Sequence, residues 1–93
     1  MSIRDTYEKK MQTQLDEWKT RLEALKEKAG QEETNLQLEY YTLIDEASLE
    51  LESAHKKLHD LKHASDEKWD ELKADIEFTW NSLHDLISSL TLP

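Results

Sequence analysis

The stretch WDELKADIEFTWNSLHDLI, residues 69–87, says one short phrase twice: Trp69-x2-Leu72-x3-Ile76, then Trp80-x2-Leu83-x3-Ile87. The copies are offset by eleven residues, which is three turns of a slightly underwound helix, so both fall on the same side. Such a helix presents two indoles and four aliphatic side chains to whatever packs against it. Just upstream, HASDEKW at residues 63–69 reads as a helix start. Ser65 or Asp66 can N-cap it, and Asp66, Glu67, Asp70 and Glu71 bring negative charge to its first turns. The spacing therefore predicts a C-terminal helix over residues 66–90, with a fraying end at SSLTLP.

The rest of the chain offers that helix a partner. Residues 3–29 carry Ile3, Tyr7, Met11, Leu15, Trp18, Leu22, Leu25 and Ala29 in steps of three and four, a narrow coiled-coil seam. Asp5 and Glu8 near its start and Lys26 and Lys28 near its end suit the helix dipole. The seam resumes at Leu36, Tyr40, Leu43, Ala47, Leu51, Ala54, Leu58 and Leu61. Between the two runs stands Gly30, the only glycine. It serves either as the C-cap of a first helix, with Thr34 or Asn35 capping a second, or as a residue inside one continuous helix. A stripe that crosses the glycine almost in register favours continuity.

Composition sets the class. The chain has 93 residues, 35% of them charged and 37% hydrophobic, with a mean hydropathy of -0.88; one domain over residues 1–93 is the expectation, and long helices with narrow seams suit that balance. There is no Cys, hence no disulfide or thiolate chemistry, and one Pro, the last residue. The opening MSIRDTYEKK lacks an apolar core, so no signal peptide is expected, and no run suits a membrane span. A cytoplasmic location is the expectation.

The net charge of -9 is unevenly placed: residues 29–55 hold seven carboxylates and no Lys or Arg, and no Lys or Arg follows Lys73. Nucleic acids and anionic membranes both need clustered cations, so neither is an expected partner. The acidic stretch reads either as a solvated face or as a docking surface for a basic partner.

LDEW at 15–18, the Glu/Lys/Ala/Leu-rich middle and ASDEKWDELKADIEFTW at 64–80 resemble the small acidic bacterial coiled-coil proteins described as stress-response proteins. Asp66 stands where that pattern has Gly, and Glu77-Phe78 where it has small residues. The resemblance implies an all-helical fold and an association with stress, and it carries over no catalytic residue.

Three constellations bear on function. Glu52, His55, His59 and His63 fall within an arc of roughly 80° on a helix, a weak candidate for a metal or pH-responsive site. A di-iron bundle needs two Glu-x-x-His motifs and two more carboxylates, and only one such motif occurs, so a solvated polar face is the plainer reading and no metal or cofactor is expected. Trp18, Trp69 and Trp80 lie on apolar stripes, as core or as an aromatic partner site. Residues 36–51 add Leu38, Tyr41, Ile44 and Leu49 beside the seam, a broad apolar surface facing more than one neighbour. Candidate partner-binding residues are thus Leu36, Tyr40, Tyr41 and Ile44, and on the last helix Trp69, Leu72, Ile76, Trp80, Leu83 and Ile87. Adjacent carboxylates such as Asp16-Glu17, Asp45-Glu46 and Asp70-Glu71 diverge by about 100° and form no acid/base pair. No phosphate loop or nucleophile elbow is present, so no enzymatic activity is expected.

The expected fold is all-α, an antiparallel helical bundle or coiled coil of two or three helices: a long helix or helix pair over 3–63 plus the C-terminal helix. The expected role is protein–protein interaction, by self-association (a homodimer if the long helix is unbroken) or as a scaffold. The alternatives are a regulatory subunit docking on an enzyme through residues 36–51 or the tryptophan helix, and a metal- or pH-responsive bundle.

Overall fold

The computed structural model describes residues 2–90. Three helices follow one another: α1 (Ile3–Ala29), α2 (Thr34–Lys62) and α3 (Asp66–Ser89). The all-α bundle is as the seams predict, with three helices rather than two. The continuity favoured at Gly30 is overturned. A single helix over residues 3–62 would be about 90 Å long, whereas the longest extent of the chain is 50 Å. Folding back lets the two halves of the seam face each other, so their apolar side chains leave water within one chain.

The break takes a specific form. Gly30 keeps right-handed helical backbone (φ -65°, ψ -14°), so it does not supply a left-handed cap. The tightened bonds Gln31 N–H to Lys28 O (3.0 Å) and Glu32 N–H to Ala29 O (3.2 Å) close α1. Glu33 then turns extended (ψ 150°) to start α2, without a side-chain cap; Thr34 and Asn35, the expected caps, already lie inside or at the edge of the first turn. Gln37 fastens the corner, donating from Nε2 to Gly30 O (2.9 Å). At the second corner Ser65 is the N-cap of α3, its hydroxyl accepting from Lys68 N–H (3.4 Å).

Helices α1 and α3 run parallel and in register. Arg4 pairs with Asp66, Tyr7 meets Trp69, and Trp18 meets Trp80, each pair 62 positions apart. The eleven-residue phrase of α3 is thus matched by Tyr7 and Trp18 of α1. Helix α2 runs antiparallel to both and packs on each. One continuous core joins Met11, Leu15, Trp18 and Leu22 of α1, Ala47, Ala54, Leu58 and Leu61 of α2, and Trp69, Ile76, Trp80, Leu83 and Ile87 of α3. Small residues on the inward face of α2, Ala47 and Ala54, sit in the same core as the bulky indoles, the alternation of sizes that dense packing needs.

The N-terminal end is clasped by Arg4. Its guanidinium donates to Ala64 O (2.9 Å), to Leu61 O (3.3 Å) and to Asp66 Oδ1 (2.8 Å), tying all three helices together. Leu61 is in the last turn of α2, its carbonyl also accepting from Ala64 N–H (3.2 Å), and Ala64 lies in the linker to α3. Trp69 Nε1 donates to Glu8 Oε2 (3.2 Å), and Arg4 Nε lies 3.7 Å from the same oxygen. Lys73 Nζ completes the group, 5.0 Å from the Tyr7 ring and 5.6 Å from that of Trp69.

Candidate protein-interaction surface

The register along α2 decides which of its side chains are covered. Lys57 Nζ bonds Asp75 Oδ1 (3.3 Å) and Thr79 Oγ1 (2.8 Å). Since α3 ends at Ser89, it reaches α2 only to about residue 43 in an antiparallel pairing. About the first two and a half turns of α2 project beyond it. That explains why Leu36 is exposed and why Tyr40 and Leu43 are half-buried although they continue the seam.

The off-seam residues divide. Ile44 is buried, and Tyr41 is half-buried with its hydroxyl 3.2 Å from the position a Gly30 Cβ would take. Leu38 and Leu49 are each 67% exposed. They are eleven residues apart, so they share one outward line on α2, within about 20° of each other and about 16 Å apart along the axis. Asp45 and Glu52 lie on or beside that line, Glu46 on its flank, and all three are exposed. No carboxylate in residues 32–52 enters an ion pair among the described residues.

The tryptophan helix is already occupied. Trp69, Ile76, Trp80, Leu83 and Ile87 are buried by the chain's own helices and Leu72 is half-buried, so as folded this stripe presents no open surface. The Trp80 indole N–H is buried without an acceptor. Sequence reasoning passed over Phe78, 73% exposed on the outward side of α3, because it stands alone there rather than in a periodic stripe. It also passed over Arg4. Its role becomes visible only when α1 and α3 are aligned phrase against phrase, which places Arg4 level with Asp66.

The histidine ladder lies on the surface. His55, His59 and His63 are exposed, and so is Glu52. The His59 and His63 rings stand 4.6 Å apart, but no three His, Cys, Asp or Glu side chains gather to hold a metal ion among the described residues. His55 and Glu52 instead line a groove of about 700 Å³ between α1 and α2. Its walls alternate in charge: Asp16, Lys19, Glu23 and Lys26 on one side, Glu52 and Lys56 on the other. The floor residues Leu15, Leu22 and Ile44 are each only 4% exposed. Charged walls thus flank an apolar floor.

One ionisable group is displaced from its ordinary range. The Tyr7 phenol is pushed up to about 12, first by burial and then by the Glu77 carboxylate, which accepts its O–H at 3.4 Å. This group belongs to the clasp at the bundle's end.

No described helix is long and apolar enough to cross a membrane. Comparison with protein-family models, with curated proteins and with solved structures gave no match.

Proposed function

We propose that this chain is a small acidic interaction protein without catalytic activity, binding another protein through the outward face of α2. The observation that supports this reading is the pair Leu38 and Leu49, large apolar side chains left in water on one outward line of α2. Two leucines aligned on one helix face offer a partner helix or groove apolar side chains at a helical spacing. Most of the seam is buried within one chain, with Leu36 exposed and Tyr40 and Leu43 half-buried at the start of α2, and this weighs against obligate self-association. The link to stress comes from the resemblance and assigns no residue.

The test is a photocrosslinking amino acid placed at Leu49 or, as a control, at Phe78, in cells that express the chain. A discrete adduct with another protein from position 49, absent from position 78 and lost on Leu38→Ser, is the expected result. Equal labelling from both positions would remove the reading.

A further inference from the structure

The fold brings together two parts of the sequence that each lack Lys and Arg. Residues 29–55 contain no Lys or Arg, and neither do residues 74–93. The Lys57 bonds to Asp75 and Thr79 fix the pairing of α2 with α3 at the boundary between base-containing and base-free sequence. From that point α2 before Lys57 and α3 after Asp75 run side by side towards the far end of the bundle. On α2, Glu39, Glu46 and Glu50 fall on the side that Lys57 marks as facing α3, and Asp45 and Glu52 fall towards the α1–α2 groove, with no Lys or Arg among residues 32–55 to answer them. The nearest are Lys56, one turn past Glu52, and Lys19 and Lys26, which lie across the α1–α2 groove. Beyond Asp75, His84 is the one basic side chain of α3; its Nδ1 lies 3.6 Å from Asp85.

We infer that the occupant of the α2 outward face is a cationic amphipathic helix of another protein. It would place apolar side chains about three turns apart on Leu38 and Leu49, and Lys or Arg against Asp45, Glu46 and Glu52. This rests on the interaction reading above and names the chemistry of the partner. Two observations converge on it. The leucines supply apolar area that water covers poorly, and the surrounding unpaired carboxylates select for positive charge and against negative. A second copy of this chain fits badly, because it would bring its own acidic α2 and a net charge of -9 to the same face. Nucleic acids and anionic lipid surfaces are excluded by sign.

The probe is a labelled synthetic helix of Leu, Lys and Ala with leucines three turns apart, titrated with the intact chain by fluorescence anisotropy. A Leu, Glu and Ala helix with the same leucine spacing is the comparison. The lysine helix is expected to bind, and to weaken as salt rises. Leu38→Ser with Leu49→Ser should weaken it about tenfold, and so should Glu46→Lys with Asp45→Lys. Glu17→Lys, on exposed α1, should leave binding unchanged. Circular dichroism checks that each variant stays folded. Binding that ignores the leucines, or that Glu17→Lys weakens as much as the α2 changes do, would reduce the effect to bulk charge and overturn the inference. Leucine-dependent binding of both helices would overturn the cationic partner while leaving the interaction reading intact. Failure of the lysine helix to bind at low salt overturns the inference alone, since the crosslinking result stands or falls separately.

Discussion

Trp18 of α1 and Trp80 of α3 face each other with ring centroids 6.2 Å apart and planes tilted by 55°. Tyr7 and Trp69 repeat the relationship at 5.5 Å, edge to face. One eleven-residue period separates the two contacts on each helix, which is why a phrase repeated in α3 can be answered by two aromatics in α1. These contacts hold α1 against α3, and the repeat is therefore a device of the fold.

The first prediction concerns that pairing. Trp18→Leu and Trp80→Leu each remove ring atoms from a dense core and should each cost about 2 kcal/mol or more. Because the rings touch, the double variant should cost about 1 kcal/mol less than the sum of the two. Urea unfolding of the four proteins measures both quantities. Strict additivity would mean that the rings do not contact each other in solution.

Arg4→Ala should destabilise the bundle by about 1.5–3 kcal/mol, the range for hydrogen bonds made by a charged donor. Most of the loss comes from the Leu61 and Ala64 carbonyls, in the last turn of α2 and the linker after it. Asp66→Ala should cost well under that, because the Asp66 side chain is 93% exposed and its ion pair is screened. Chemical denaturation of the two variants ranks them; equal effects would assign the stabilisation to the ion pair instead.

The raised Tyr7 value sets a stability change at alkaline pH. The folded chain holds the phenolic proton up to about 12, while an unfolded tyrosine releases it near 10, so the folded state binds more protons between them. The contribution is complete below about pH 10 and is lost as pH rises through about 12. Tyr7→Phe should flatten this part of the profile of unfolding free energy against pH, and an unchanged slope would contradict the assignment.

How much of this was legible beforehand follows from which interactions are local. The seams of α1 and α3 could be read directly, and the cap of α3 was narrowed to Ser65 or Asp66, because spacing and capping are properties of neighbouring residues. Gly30 could not. Its backbone is ordinary right-handed helix, and the choice between turning and continuing depends on what covers Leu15, Trp18 and Leu58, a long-range matter that spacing leaves open. The same limit hid Arg4, whose partners lie about sixty positions away. On the candidate surface, the sequence placed Leu38, Tyr41, Ile44 and Leu49 together as off-seam residues, yet only the packing of α1 and α3 separates Ile44, buried, from Leu38 and Leu49, exposed.

A coupled pair at the first corner gives a further prediction. An alanine methyl at Gly30 would sit 3.2 Å from the Tyr41 hydroxyl, closer than ordinary contact. Removing that oxygen should release the crowding and leave the helix-propensity gain of about 1 kcal/mol. Gly30→Ala should therefore be more favourable in a Tyr41→Phe background than in the parent chain. Thermal unfolding of the four proteins reads the difference, and identical effects in the two backgrounds would mean that the corner is packed otherwise.

Leu38→Ser and Leu49→Ser should each change unfolding free energy by less than about 0.5 kcal/mol, as exposed positions do. Leu58→Ala, in the fully covered seam, should cost about 2–5 kcal/mol. A large loss at Leu38 or Leu49 in dilute solution would show that these leucines are already covered, and by another copy.

The absolute molar mass in solution, by light scattering on a sizing column across a concentration series at neutral pH, bears most directly on the whole account. One chain buries most of its own seams and leaves the outward α2 face for a different protein. The predicted mass is 11.0 kDa at every concentration. A mass of about twice that, or one that climbs with concentration, would mean that a second copy covers the apolar surface, and would contradict that arrangement.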